Sequence, residues 1–184
     1  MLRCLCVIFL LCVSSHISIA QEGIFSTKTG KVTFHSDAPR ELIYASSNEL
    51  KGALDIKKKT FVFRISISSF NGFNNTLQQE HFNENYMETS FYPQSEFVGK
   101  IIEDVDLAKD GNYKVRAKGK LKIHGVEQER IIKVDISNRK GRMIVTSNFS
   151  VLLADYNIKI PRIVSDKLSP IIDVFVNCTL IPGK

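Results

Sequence analysis

Between residues 113 and 123 the chain alternates without a break. Tyr113, Val115, Ala117, Gly119, Leu121 and Ile123 fall on one side of an extended strand, and Lys114, Arg116, Lys118, Lys120 and Lys122 on the other. A period of two belongs to a strand with one face buried and one in water. The same period recurs along the chain. Val32 and Phe34 share a face, as do Phe61, Phe63, Ile65 and Ile67, and then Ile132, Val134 and Ile136. Met143, Val145, Phe149, Val151 and Leu153 share another, with Ser147 among them, and Ile172, Val174, Val176, Cys178 and Leu180 form the last. Further strands are expected over residues 43–55 and 97–107.

Turn chemistry separates these runs. Residues 109–112 read Lys-Asp-Gly-Asn, while His124-Gly125 and Lys140-Gly141 each sit between two alternating runs. Glycine there supplies the positive φ that a two-residue hairpin needs. Short turns between consecutive strands favour an antiparallel meander. About eight strands with one apolar face each must close into a barrel or stack as a sandwich to hide that face. Two stretches break the period. Residues 75–87 are polar and rich in helix formers, which predicts a short helix in one long connection. Residues 161–168 predict a helical turn, with Pro161 suited to its start.

The first twenty residues carry a different pattern. Arg3 precedes an apolar run from Leu5 to Val13, and Ser18-Ile19-Ala20 forms a small-x-small site before Gln21. That order predicts a cleaved signal peptide over residues 1–20, leaving one domain over residues 21–184. The apolar run is shorter than the roughly 20 residues of a membrane span. A lipoprotein reading would need a small residue ahead of the cysteine, but Cys12 follows Leu10-Leu11. Cleavage would remove Cys4, Cys6 and Cys12, so Cys178 alone would remain and the fold would rest on its core. The expected location is outside the cytoplasm, periplasmic or extracellular. Arg3 is the only charge in the leader, so the formal +6 of the whole chain becomes about +5 in the mature one. This mild excess suits transient contact with an anionic membrane surface, to which the Lys114–Lys122 stripe would contribute. An ordinary solvated outer face explains the stripe equally well. No helix-turn-helix, zinc-finger or RNA-recognition pattern points to nucleic acid.

Catalytic patterns are missing. There is no Gly-x-Ser-x-Gly elbow and no phosphate-cradling glycine loop. His35, His81 and His124 stand at no metal-ligand spacing. Glu80-His81 reads as a helix surface, His124 as part of a turn, and Glu103, Asp104 and Asp106 as a solvated loop. Cys178, in an apolar strand, reads as a buried structural thiol. No enzyme, metal or cofactor is expected.

Three segments together suggest a family. His81-Phe82-Asn83, Tyr86-Met87 and Phe91-Tyr92-Pro93 lead to Phe97. Gly119-Lys120-Leu121-Lys122-Ile123-His124-Gly125-Val126 forms a hairpin. Phe149-x-Val151 is followed by Asp155-Tyr156-Asn157-Ile158, then Val164-Ser165-Asp166-Lys167-Leu168 and the last strand. In order and spacing the set resembles the YceI family of lipocalin-like, polyisoprenoid-binding barrels. The resemblance implies an all-β fold, a single antiparallel eight-stranded lipocalin-like barrel around a long apolar tunnel. Its partner would be a long-chain apolar lipid such as a polyisoprenoid or a fatty-acid-like chain, held for carriage, storage or sensing. The residues expected to line that lipid are Phe34, Phe61, Phe63, Phe97, Phe149 and Tyr113 from strands. Ala117 and Gly119 would leave it room, and Phe82, Tyr86, Met87 and Phe91 would guard one end. An eight-stranded barrel can also be packed solid with its own side chains. The alternative is therefore a solid-cored structural or stress-response interaction module with no lipid.

Overall fold

The computed structural model describes residues 23–183; the signal peptide expected over residues 1–20 lies outside the described residues. Eight strands close into one antiparallel barrel in chain order. They are β1 (Ile24–Ala38), β2 (Glu41–Asp55), β3 (Thr60–Ser66), β4 (Gln94–Ile101), β5 (Gly111–Ile123), β6 (Val126–Arg139), β7 (Arg142–Leu152) and β8 (Ile171–Pro182). β8 pairs back onto β1, from Phe25 opposite Pro182 to His35 opposite Asp173. Closure gives every strand two neighbours and so leaves little sheet edge to be managed by charge or cover.

The alternation reads out as expected. In β5, Val115, Ala117 and Leu121 are buried and all five basic residues of the alternate positions are exposed. Two-residue turns close the β5–β6 and β6–β7 hairpins, with φ of 50° and 75° at His124 and Gly125 and 51° and 74° at Lys140 and Gly141. Both central residues lie in the left-handed region, so the turns have the primed form that matches strand twist.

Three boundaries differ from the sequence expectation. β1 begins well before Val32, because a break in register on either side of Gly30 lets one long strand pair with both neighbours. β4 stops at Ile101 rather than near Leu107. The chain then turns in, and Leu107 is 1% exposed at the barrel end. The Asn138 side chain holds it there, donating to the carbonyls of Leu107 (2.9 Å) and Lys109 (3.2 Å). The expected helix is split in two. An α-helix, α1 (Thr76–His81), begins at Asn75, whose side chain accepts from the Gln78 amide at 2.8 Å. It runs into a π-helical turn over Phe82–Tyr86. The predicted turn near Pro161 is a 3₁₀ turn over Arg162–Val164.

The barrel has two unlike ends. At the end that carries the start of β3 and the end of β8, the inward residues leave little space: Leu54, Val115, Ile136, Met143 and Leu180 are 0–3% exposed. At the other end β2 and β3 separate. They pair only from Lys51 opposite Arg64 to Asp55 opposite Thr60. The first half of β2 meets instead an isolated bridge, Ser46 opposite Asn71. Residues 67–87, including α1, occupy that gap.

Candidate functional site: an apolar cavity in the barrel

A cavity of about 560 Å³ fills the half of the barrel next to this gap. Its presence explains an otherwise odd burial pattern. Phe34, Phe63, Phe97, Phe149, Val134 and Val174 all alternate inward, yet each is only half-buried. Their uncovered surface faces the cavity, not bulk water.

The wall carries three layers of chemistry. At the gap an aromatic collar joins four rings from three parts of the chain. Phe34 lies 5.4 Å from Phe70, 6.0 Å from Phe73 and 5.4 Å from Phe82, the last pair stacked. Below the collar, Phe61 lies 6.1 Å from Phe63 and 4.9 Å from Phe97. Such offset and tilted ring pairs add about 0.5–1.5 kcal/mol each beyond the area they bury. The remaining wall is aliphatic, from Val32, Leu121, Ile132, Val145 and Val151. Polar side chains reach the cavity at two places: at its mouth the carboxylate of Glu41 accepts from Gln78 Nε2 at 2.9 Å, and where β2 and β3 begin to separate the guanidinium of Arg64 pairs with Glu96. His81 and Lys167 complete the rim. Burial raises the phenol of Tyr86, on the same wall, above its ordinary value.

The structure brings most of the predicted residues to this wall and leaves three elsewhere. Phe34, Phe61, Phe63, Phe82, Tyr86, Met87, Phe97, Ala117 and Phe149 line the cavity. Phe91 does not. It is 76% exposed, because the turn at residues 88–92 carries it away from the barrel mouth. Tyr113 lies at the packed end, where its hydroxyl donates to the carbonyls of Asp106 (2.9 Å) and Lys109 (2.8 Å). Gly119 makes no room for a ligand. A Cβ there would stand 2.2 Å from the Val98 carbonyl oxygen and 2.8 Å from Gly99 Cα. The missing side chain lets β4 and β5 approach at a barrel corner, with Gly99 opposite Gly119. Phe70 and Phe73 belong to the collar but were absent from the sequence expectation. They sit in an irregular connection with no period to mark them, and only their apolar character among polar neighbours hinted at burial.

His124 is more than a turn residue. Its side chain is 10% exposed. Nε2 lies 2.6 Å from a Glu88 carboxylate oxygen, Nδ1 lies 3.1 Å from the Tyr156 carbonyl, and the Tyr92 ring meets it edge-on at 4.6 Å. The imidazole therefore ties three connections at the cavity end: the β5–β6 turn, the segment after the π-helical turn, and the 3₁₀ turn over Leu153–Tyr156. Glu88 and Asn157 also hold positive φ, of 44° and 59°, beside this node.

Cys178 is 3% exposed and burial pushes its thiol up to about 12, far from a reactive thiolate. Among the described residues no group of three or more His, Cys, Asp or Glu side chains converges as a metal site would.

The YceI-like domain matches residues 12–179 of this sequence. The chain belongs to the YceI-like domain family. Solved structures share the barrel of this YceI-like protein. A polyisoprenoid-binding domain from Saccharophagus degradans, implicated in plant cell wall breakdown, superposes with a TM-score of 0.73 at 17% identity, covering 88% of this chain and 99% of its own. BcnA of Burkholderia cenocepacia gives 0.68 at 15% identity, covering 82% and 95%. The YceI protein of Campylobacter jejuni gives 0.52 at 21% identity, covering 71% and 78%. At these identities the likeness is one of fold. No curated protein matches the sequence.

Proposed function

We propose that this YceI-like protein binds one long apolar lipid chain inside its barrel, as an exported carrier, storage or sensing protein and not an enzyme. The observation that carries the reading is the cavity itself. A barrel of eight strands can fill its interior with its own side chains. Here one end is filled in that way, and the other keeps about 560 Å³ open between apolar walls. Leaving so much apolar surface uncovered forgoes dispersion contacts unless a ligand supplies them. Each buried CH₂ of such a ligand contributes about 0.8 kcal/mol. The polyisoprenoid-binding domain from Saccharophagus degradans, with the same fold, supports an isoprenoid-type chain as the occupant. The solid-cored module is the weaker reading because the interior is not solid.

The apolar leader over residues 1–20 supports export. Transient contact with an anionic membrane has less support from the outer face of β5. Arg116, Lys118 and Lys120 each pair with a carboxylate, on Glu103 (2.7 Å), Glu129 (2.9 Å) and Glu127 (3.2 Å), which offsets three of the stripe's five charges.

Mass spectrometry of organic extracts from protein purified without detergent tests the proposal. The expected result is a lipid released in near-stoichiometric amount, and its loss from Ala117→Phe, whose ring would project from the cavity wall. Extracts free of lipid, together with no uptake of added isoprenoid alcohols, would defeat it.

A further inference from the structure

The two ends of the barrel lead to a second proposal, which rests on the lipid reading above: we infer that the cavity is a blind pocket that takes about 20 carbons of a single chain, tail first, with Phe63 as its stop. An engineered apolar cavity of about 150 Å³ holds the six carbons of benzene. At that ratio 560 Å³ holds roughly 20 carbons, or about four isoprene units.

The chain cannot run through. Beyond the cavity lies a separate void of about 30 Å³, lined on its far side by Leu54, Ile101, Val115, Ile136 and Leu180. Four residues line both spaces: Phe63, Ala117, Val134 and Val145. They form the partition. Phe63 is the largest of them, and its ring is seated by its cross-strand partner Gly52. A Cβ on Gly52 would stand 2.1 Å from Phe63 Cδ1, so the ring occupies the space that a side chain on Gly52 would take. The seat holds the ring at the cavity floor instead of across it.

The lining also sets direction. The small void has no polar wall atoms, and a polar end group buried there would lose its hydrogen bonds. At the mouth stand Glu41, Gln78, His81 and Lys167, while the one polar pair near Phe63, Arg64 with Glu96, is already satisfied by its own ion pair. The apolar tail therefore points to Phe63 and the polar end group stays at the rim. A longer chain would leave its surplus in water.

The test measures Kd of the full purified chain for prenyl alcohols of two to eight isoprene units. Affinity should tighten with each unit held inside, by at least about tenfold, and level off near the fourth. Phe63→Ala joins the two voids and removes a phenyl ring, so the break should move up by about one unit. Gly52→Ala drives the Phe63 ring into the cavity, so the break should move down. Tightening that continues unbroken to eight units would overturn the blind pocket. A break that stays in place in both variants would overturn the role of Phe63. Should Phe63→Ala fail to fold, Gly52→Ala and Ala117→Val, both shortening the pocket, keep the test intact. Absence of saturable binding at every length would instead remove the lipid reading on which this one stands.

Discussion

Gly119→Ala should be far more damaging than an ordinary glycine replacement in a strand. Glycine in a strand is usually the weaker choice, so adding a methyl group there ordinarily stabilises or does little. Here the new Cβ would sit 2.2 Å from the Val98 carbonyl oxygen, whereas ordinary contacts begin near 3.4 Å. The obstacle is backbone, so no side chain can swing aside. β4 and β5 would have to part by roughly the difference, about 1.2 Å. Their pairing spans Glu96 opposite Lys122 to Ile101 opposite Ala117, and Gly99–Gly119 lies inside it. Two or three ladder bonds near the glycine would be lost or stretched, at about 0.5–1.5 kcal/mol each, in addition to the overpacking cost of about 1–3 kcal/mol. We expect a loss of about 3 kcal/mol or more. Urea unfolding followed by circular dichroism measures it, with Gly141→Ala as the reference. Gly141 has φ of 74° and only Pro182 Cγ, at 3.9 Å, within reach, so its replacement should cost about 1 kcal/mol from backbone strain alone. A Gly119→Ala loss no larger than that of Gly141→Ala would refute the close-approach argument. Folded Gly119→Ala protein should keep its lipid load, since residue 119 is off the cavity wall.

Three further predictions address the cavity end and the outer face. Gly125→Val combines positive φ with a Cβ placed 2.5 Å from Tyr92 Cε1; it should lower Tm and leave the bound species unchanged, which thermal melts and extract analysis together check. His124→Ala removes both ties at the node, to Glu88 and to the Tyr156 carbonyl; we expect a loss of about 1.5–3 kcal/mol in urea titrations, with faster amide exchange in the segment after the π-helical turn. The backbone amide and then the side chain of Arg116 donate to Glu103 and hold its carboxyl below the usual range. A depressed carboxyl contributes stability that is present above its unfolded value, about 4.3, and is lost as pH falls through the lower folded value. Glu103→Gln should thus flatten the acid limb of Tm against pH below about 4.3 and lower Tm at neutral pH; an unchanged acid limb would show that the contact is not maintained in solution.

The strands could be read before folding because each depends on its own residues. A period of two needs only that one face of a strand be buried, and Tyr113–Ile123 announces this regardless of its partners. The hairpin turns were legible for the same reason: Gly125 and Gly141 answer a local demand for positive φ. Because the wall of a barrel is the inward half of its strands, the strand residues of the cavity followed from the pattern. The errors fell where that link breaks. Tyr113 shares the face of Ala117 but lies at the packed end, and sequence periodicity carries no record of height along the barrel.

What only the tertiary structure decided depends on contacts between distant segments. Whether Gly119 opens space or closes it depends on Gly99, twenty residues away and opposite it in the ladder. The role of His124 depends on Glu88 and Tyr156, which the closed barrel brings to the same end. Phe70 and Phe73 lie in a connection with no repeating pattern, and they join the collar only because β2 and β3 separate. The blind end is likewise collective. Leu107, from the β4–β5 connection, and Asn138, near the end of β6, close it together, and Phe63 becomes a floor only because Gly52 gives its ring a seat. By itself the sequence determined which side chains face inward, since strand geometry is local. The fold decided how much of that interior is filled, since packing is a sum over the whole barrel.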